Sequence, residues 1–211
     1  MIDILISGGP VMIPLALLSL LAVAIILERL WVLRPSSFVA DTEVNTLSQL
    51  LAQRDFEHVQ EYCRRHPGPF TELVTTLVEN RTAPYDELRE LLEDVGRRQL
   101  RSLERGLPAL ATIASGAPLL GLLGTVLGMM KIFAAVASSG TAIAEKLSLG
   151  IAEALVTTAT GLIIAIPALF IHAYLESRAE GILAEIEAKL LDFMHLVRRR
   201  GARPADGEEE S

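Results

Sequence analysis

Apolar residues gather in three long runs, while charged residues crowd the segments between and after them. The first run, Val11 to Leu27, holds 17 residues without a charge, and Trp31 to Leu33 extends it past the Glu28-Arg29 pair. The second, Leu107 to Met130, holds 24 and resumes beyond Lys131 through Ile132 to Ala137. The third, Ala154 to Leu175, holds 22 and opens with Glu153. At about 1.5 Å per helical residue, each run reaches or approaches the roughly 30 Å of a hydrocarbon core. The pattern predicts an all-α protein with three transmembrane helices.

The polar segments also read as helices. Asp41 and Thr42 are positioned to cap a helix through Val44, Leu47, Leu50 and Leu51, and His66-Pro67-Gly68-Pro69 stops that stretch. A short helix over about Phe70 to Glu79 follows. After Ala83-Pro84, the spacing of Leu88, Leu91, Leu92, Val95, Leu100 and Leu103 predicts a long amphipathic helix running on into the second span without a break. From Glu176 to Arg200, Ile182, Leu183, Ile186, Leu190, Phe193 and Leu196 keep helical spacing against Arg178, Glu185, Lys189 and Arg199. Both extensions need an apolar partner, so they are expected to meet in a helical bundle outside the membrane. Gly201 to Ser211, ending Glu-Glu-Glu-Ser, reads as a disordered acidic tail.

Composition fits a bilayer better than water: 51% of residues are hydrophobic and the mean hydropathy is +0.41. Charge then orients the spans. Of the 19 Lys and Arg, 11 lie from Arg29 to Arg105 and six from Arg178 onward, leaving Lys131 and Lys146. Three spans with basic flanks after the first and third imply an external N-terminus, an internal middle segment and an internal C-terminus. The expected organisation is an external N-terminus 1–10, spans 11–33, 107–137 and 149–175, an internal helical segment 34–106, an external connector 138–148, an internal helix 176–200 and the tail 201–211. The first ten residues contain no Lys or Arg, so the first run reads as a retained anchor rather than a cleaved signal. A net charge of −7 argues against nucleic acid.

Most familiar chemistry is absent from the pattern. Gly121, Gly124 and Gly128 lack the following Gly-Lys-Ser/Thr and any counter-charge that a phosphate loop needs. Cys63 and His66 offer at most two of the four ligands of a structural metal site, and no nucleophile pairs with a base, so neither metal, cofactor nor enzymatic catalysis is expected. The glycines have another use. Ala117, Gly121, Gly124 and Gly128 fall on one helical stripe, which lets a second helix approach closely in lipid. Thr125 lies within that stripe, and Thr157, Thr158 and Thr160 cluster in the third span. Counting about 1.5 Å per residue from outer interfaces near Ala137 and Leu149, Thr125 lies roughly 18 Å deep and Thr158 roughly 14 Å. They are expected to form one polar layer, unless each hydroxyl only bonds its own helix. Glu153 carries the strongest signal, because a charged carboxylate costs roughly 2.5 to 3.5 kcal/mol near a membrane helix centre. Glu153 and Lys131 both fall about 6 to 9 Å below the outer surface by the same count, so they are expected to pair, the alternative being that each snorkels outward alone.

Across these residues the chain resembles the ExbB/TolQ branch of the MotA/TolQ/ExbB proton-channel family. The resemblance is carried by Ala117-Pro118-Leu119-Leu120-Gly121-Leu122-Leu123-Gly124-Thr125-Val126-Leu127-Gly128-Met129-Met130 and by Gly150-Ile151-Ala152-Glu153-Ala154-Leu155. Thr158, Gly161-Leu162 and Ala165-Ile166-Pro167-Ala168 continue it, and Gly8-Gly9-Pro10 through Leu27-Glu28-Arg29 is similar too. What the resemblance implies is a homopentamer in a bacterial inner membrane, its N-terminus periplasmic and its C-terminus cytoplasmic. It would enclose an ExbD/TolR-like single-span partner whose aspartate carries the proton, and would serve a TonB-like or TolA-like protein. Thr125, Thr157, Thr158 and Glu153 would then line or tune the ion path, while Gly121, Gly124, Gly128, Gly161 and Pro167 would pack the helices. Energised outer-membrane import is the leading expectation. The alternatives are a TolQ-like envelope-maintenance motor, a sodium-coupled version and a non-conducting membrane scaffold.

Overall fold

The computed structural model describes residues 8–34, 41–138 and 143–199. Seven helices are present among them: α1 (Met12–Val32), α2 (Asp41–Gln53), α3 (Phe56–Arg65), α4 (Pro69–Glu79), α5 (Tyr85–Leu103), α6 (Leu107–Ser138) and α7 (Ile143–Arg199). No strand occurs among the described residues. Helices α1, α6 and α7 are long and apolar enough to cross a membrane. The expected tail, 201–211, lies outside the described residues.

The chain divides into two compact units, residues 1–32 with 104–176 and residues 33–103 with 177–211. In the first, α1 buries a narrow seam of Met12, Leu15, Ala22 and Arg29. Val11, Met12 and Leu15 form a core with Ala117 of α6 and Ala165 of α7. The opposite face of α1 is apolar yet open, with Ile13 76% and Leu20 69% exposed. A helix in water would not leave such residues bare, so this face is suited to lipid.

In the second unit, α2 to α5 pack in succession, and the remainder of α7 supplies Ile182, Ile186, Leu190 and Phe193 to the core. Phe70 and Phe193 meet with ring centroids 5.7 Å apart at 51°, an aromatic contact worth about 0.5–1.5 kcal/mol beyond area burial. The Arg198 guanidinium lies 5.3 Å over the Tyr85 ring and donates to the Ala83 carbonyl at 3.2 Å. Cys63 is buried, and burial pushes its thiol pKa up, which makes it a poor metal ligand or nucleophile.

Three local expectations need correction. The stretch before His66 is two helices, because Arg54 takes a left-handed φ of 61° and Asp55 caps α3, accepting from the His58 N–H at 3.3 Å. The connector is already helical from Ile143, six residues before the expected start of the third span.

The third correction concerns the second span, which is not continuous with the helix before it. Gly106 adopts φ +87° and separates α5 from α6, and Pro108 enters α6 in its first turn. Glycine tolerates that backbone and proline suits a helix start, so Gly-Leu-Pro is a legible stop and restart. An added Cβ at Gly106 would stand 3.6 Å from Ile25 and 3.8 Å from Arg29, an ordinary separation. The cost of Gly106→Ala is therefore conformational, about 1–2 kcal/mol. A lowered unfolding midpoint in detergent is expected, and an unchanged midpoint would remove Gly106 from the account of the break.

Candidate functional site

Two small-residue stripes face each other across α6 and α7. A Cβ on Gly121 would stand 3.0 Å from both the Thr157 carbonyl oxygen and the Thr158 Cα, and one on Gly124 would overlap the Thr157 side chain. A Cβ on Gly128 would stand 3.1 Å from the Gly150 carbonyl, and one on Gly161 only 2.6 Å from the Ala117 carbonyl. The helices thus touch backbone to backbone, which is how association is won in lipid. The α7 stripe of Gly150, Ala154, Thr157 and Gly161 repeats the four-, three-, four-residue spacing of α6. Gly150 and Ala154 were missed as packing residues, although that repeated spacing was there to find them.

The hydroxyls divide into two kinds. Thr158 is half-buried and donates across the contact to the Gly121 carbonyl at 3.2 Å, one turn before Thr125. Thr125 is half-buried and donates to Leu122 within its own helix at 2.6 Å. Each hydroxyl oxygen keeps lone pairs for water or an ion. Thr157 differs. Expected on the ion path, it is fully buried against Gly124 and donates to the Ala154 carbonyl at 2.9 Å. Its contacts in this structure are with the α6 stripe and its own helix. Pro167 moves the other way: expected among the packing residues, it is exposed on a helix that continues through it. Lacking an N–H, it leaves the Ile163 carbonyl without its usual helical donor.

At the end of the stripes the structure joins Lys131 of α6 to Glu153 of α7 as an ion pair. The geometry follows from the glycines, because Gly128 packs with its added Cβ 3.2 Å from the Ala154 Cβ, and the pair lies next along both helices. The carboxylate is the more covered partner, with 20% of its side chain exposed against 52% for Lys131. The Gly9 backbone also lies against the pair. Local periodicity gives no warning of that contact. Cys63 and His66, set aside as metal ligands on their number, differ in setting: His66 stacks on Tyr62 at 4.4 Å, while Cys63 is buried. Among the described residues, no group of three or more His, Cys, Asp or Glu is placed to hold a metal ion.

The site thus joins a close glycine contact, paired charges and two half-buried hydroxyls on two apolar helices. A sequence model described as the MotA/TolQ/ExbB proton channel family matches residues 65–188, which include both stripes and the Lys131–Glu153 pair. The chain belongs to that family. It is 34% identical over 206 residues to a Synechocystis protein named for biopolymer transport, ExbB-like 1, covering 93% of this chain and 76% of the relative. The Tol-Pal system protein TolQ of Haemophilus influenzae is 39% identical over 103 residues, 49% of this chain and 45% of that protein. The biopolymer transport protein ExbB of Pseudomonas putida is 39% identical over 99 residues, 47% of this chain and 30% of that protein. Membership makes this a membrane protein of a channel family, and no enzyme class is attached to it. The match thus spans less than half the length of these last two proteins.

Proposed function

We propose that the chain is the channel-forming subunit of a proton-driven motor in a bacterial inner membrane. The Lys131–Glu153 pair, set beside a backbone-close α6–α7 contact that carries half-buried hydroxyls at Thr125 and Thr158, is the observation that carries this reading. In the motor several copies, five by family resemblance, surround a single-span partner whose membrane aspartate takes and releases the proton. Thr125 and Thr158 offer oxygen lone pairs to a hydrated proton, and their donor hydrogens are already committed to Leu122 and Gly121. Glu153 acts as a gate near the outer surface, holding Lys131 until the approaching charge competes for it. The basic flanks support a periplasmic N-terminus and a cytoplasmic C-terminus. Coupling to a TonB-like protein for outer-membrane import is the preferred branch, in keeping with the ExbB-like name of the relative matched over 93% of this chain, while TolQ and ExbB proper match it over 49% and 47%.

Co-reconstitution with such a partner tests the reading. Liposomes loaded with a pH-sensitive dye should acidify under an imposed proton gradient only when both proteins are present. Replacing sodium by lithium should change nothing. Flux no greater than in empty liposomes, or cellular transport that survives a protonophore, would favour a non-conducting scaffold.

A further inference from the structure

The turn that precedes α1 lies on the Lys131–Glu153 pair. Gly9 adopts φ +66°, the left-handed region that side chains rarely enter. A Cβ there would overlap the Glu153 carboxylate, at 2.9 Å from its Cδ, and stand 3.4 Å from Lys131 Nζ. The turn is also tied to the helix core. The Met12 N–H donates to the Gly9 carbonyl at 3.1 Å and the Ile13 N–H to the Pro10 carbonyl at 3.3 Å. Val11 and Met12 are buried in the cluster with Ala117 and Ala165. Moving the turn off the pair therefore means unseating Met12. The carboxylate under this turn is the covered member of the pair, and the ammonium is the open one.

We propose that Gly9 is a positioning residue for Glu153: the side-chain-free, left-handed turn roofs the carboxylate and keeps it on the Lys131 ammonium. The proposal rests on the reading of Glu153 as a gate and adds what holds that gate shut. With the roof in place, the carboxylate leaves Lys131 only along the α7 face or when the turn lifts. The start of α1 thereby sets how readily the pair opens.

Acylation of Lys131 by an amine-reactive ester tests this on the full chain in detergent, read by mass spectrometry against Lys189 in the other unit. The amine reacts only when it is off the carboxylate, so a pair that opens more often is labelled faster. Gly9→Ala should raise the relative rate at Lys131 about threefold, within what a partly exposed ion pair is worth. Gly116→Ala on α6 is the control, because a Cβ there meets nothing within 4 Å, and it should leave the rate at the wild-type value. Gly9→Asn carries the test if Gly9→Ala does not assemble, since asparagine accepts the left-handed backbone yet still places a Cβ on the carboxylate. An unchanged rate in the Gly9 variants overturns the proposal, and so does an equal rise in Gly116→Ala. The labelling needs no proton gradient, so it stands or falls separately from the channel reading.

Discussion

Glu153→Ala should reduce energised transport by at least about tenfold while the subunits still assemble, an energetic change of about 1.4 kcal/mol or more at the gating step. Removing the carboxylate leaves the Lys131 ammonium alone beside the membrane. Lys131 is half-exposed, so its long stem can carry the charge outward to water. The fold therefore survives, and the gate does not. Glu153→Gln separates shape from charge, since it keeps the volume under the Gly9 turn and loses the ionic attraction. It should fail like alanine. Size-exclusion profiles establish assembly, and uptake of a client in cells measures transport. Full transport by a normally expressed Glu153→Ala chain would take Glu153 out of the mechanism.

Gly124→Ala should weaken the α6–α7 contact by about 1–3 kcal/mol. Two effects oppose each other. Alanine gains about 0.8–1.0 kcal/mol over glycine in a helix interior. The added Cβ, however, would stand 2.5 Å from the Thr157 Cβ and 2.9 Å from its Cγ2. Thr157 is fully buried, with no free space into which it can rotate. Overpacking wins, and the helices must part. The reciprocal double variant Gly124→Ala/Thr157→Gly removes all three obstructing atoms and should recover stability, because the methyl then fills the space the threonine vacates. Unfolding midpoints in detergent decide the matter: a single variant as stable as the parent, or a double variant no better than the single, would contradict this packing account.

The spans were legible because uninterrupted apolar runs admit few other readings. The same holds for the α6 stripe, where glycine at three- and four-residue intervals has no purpose on a lipid face. Even the Lys131–Glu153 pair followed from counting helical rise from a shared interface. The Gly106 break was written in Gly-Leu-Pro, but the unbroken apolar spacing from Leu88 to Leu103 drew the helix through it. Thr157 and Thr158 show the limit more sharply. They are neighbours about 100° apart on one helix, and which of them faces α6 squarely depends on the helix's rotation, which composition does not encode. Gly9 is further out of reach, since its contact with Glu153 joins residues 144 positions apart.

The backbone contact between α6 and α7 has one more consequence. At Gly121, Gly124 and Gly161 the two helices approach too closely for a water molecule to stand between them, and Thr157 fills the remaining gap. A single chain is thus watertight along its own seam. In the proposed motor, the route for protons therefore runs over the outside of this helix pair and not through its seam. On that reading, a lone subunit does not by itself short-circuit the membrane whose gradient the motor taps.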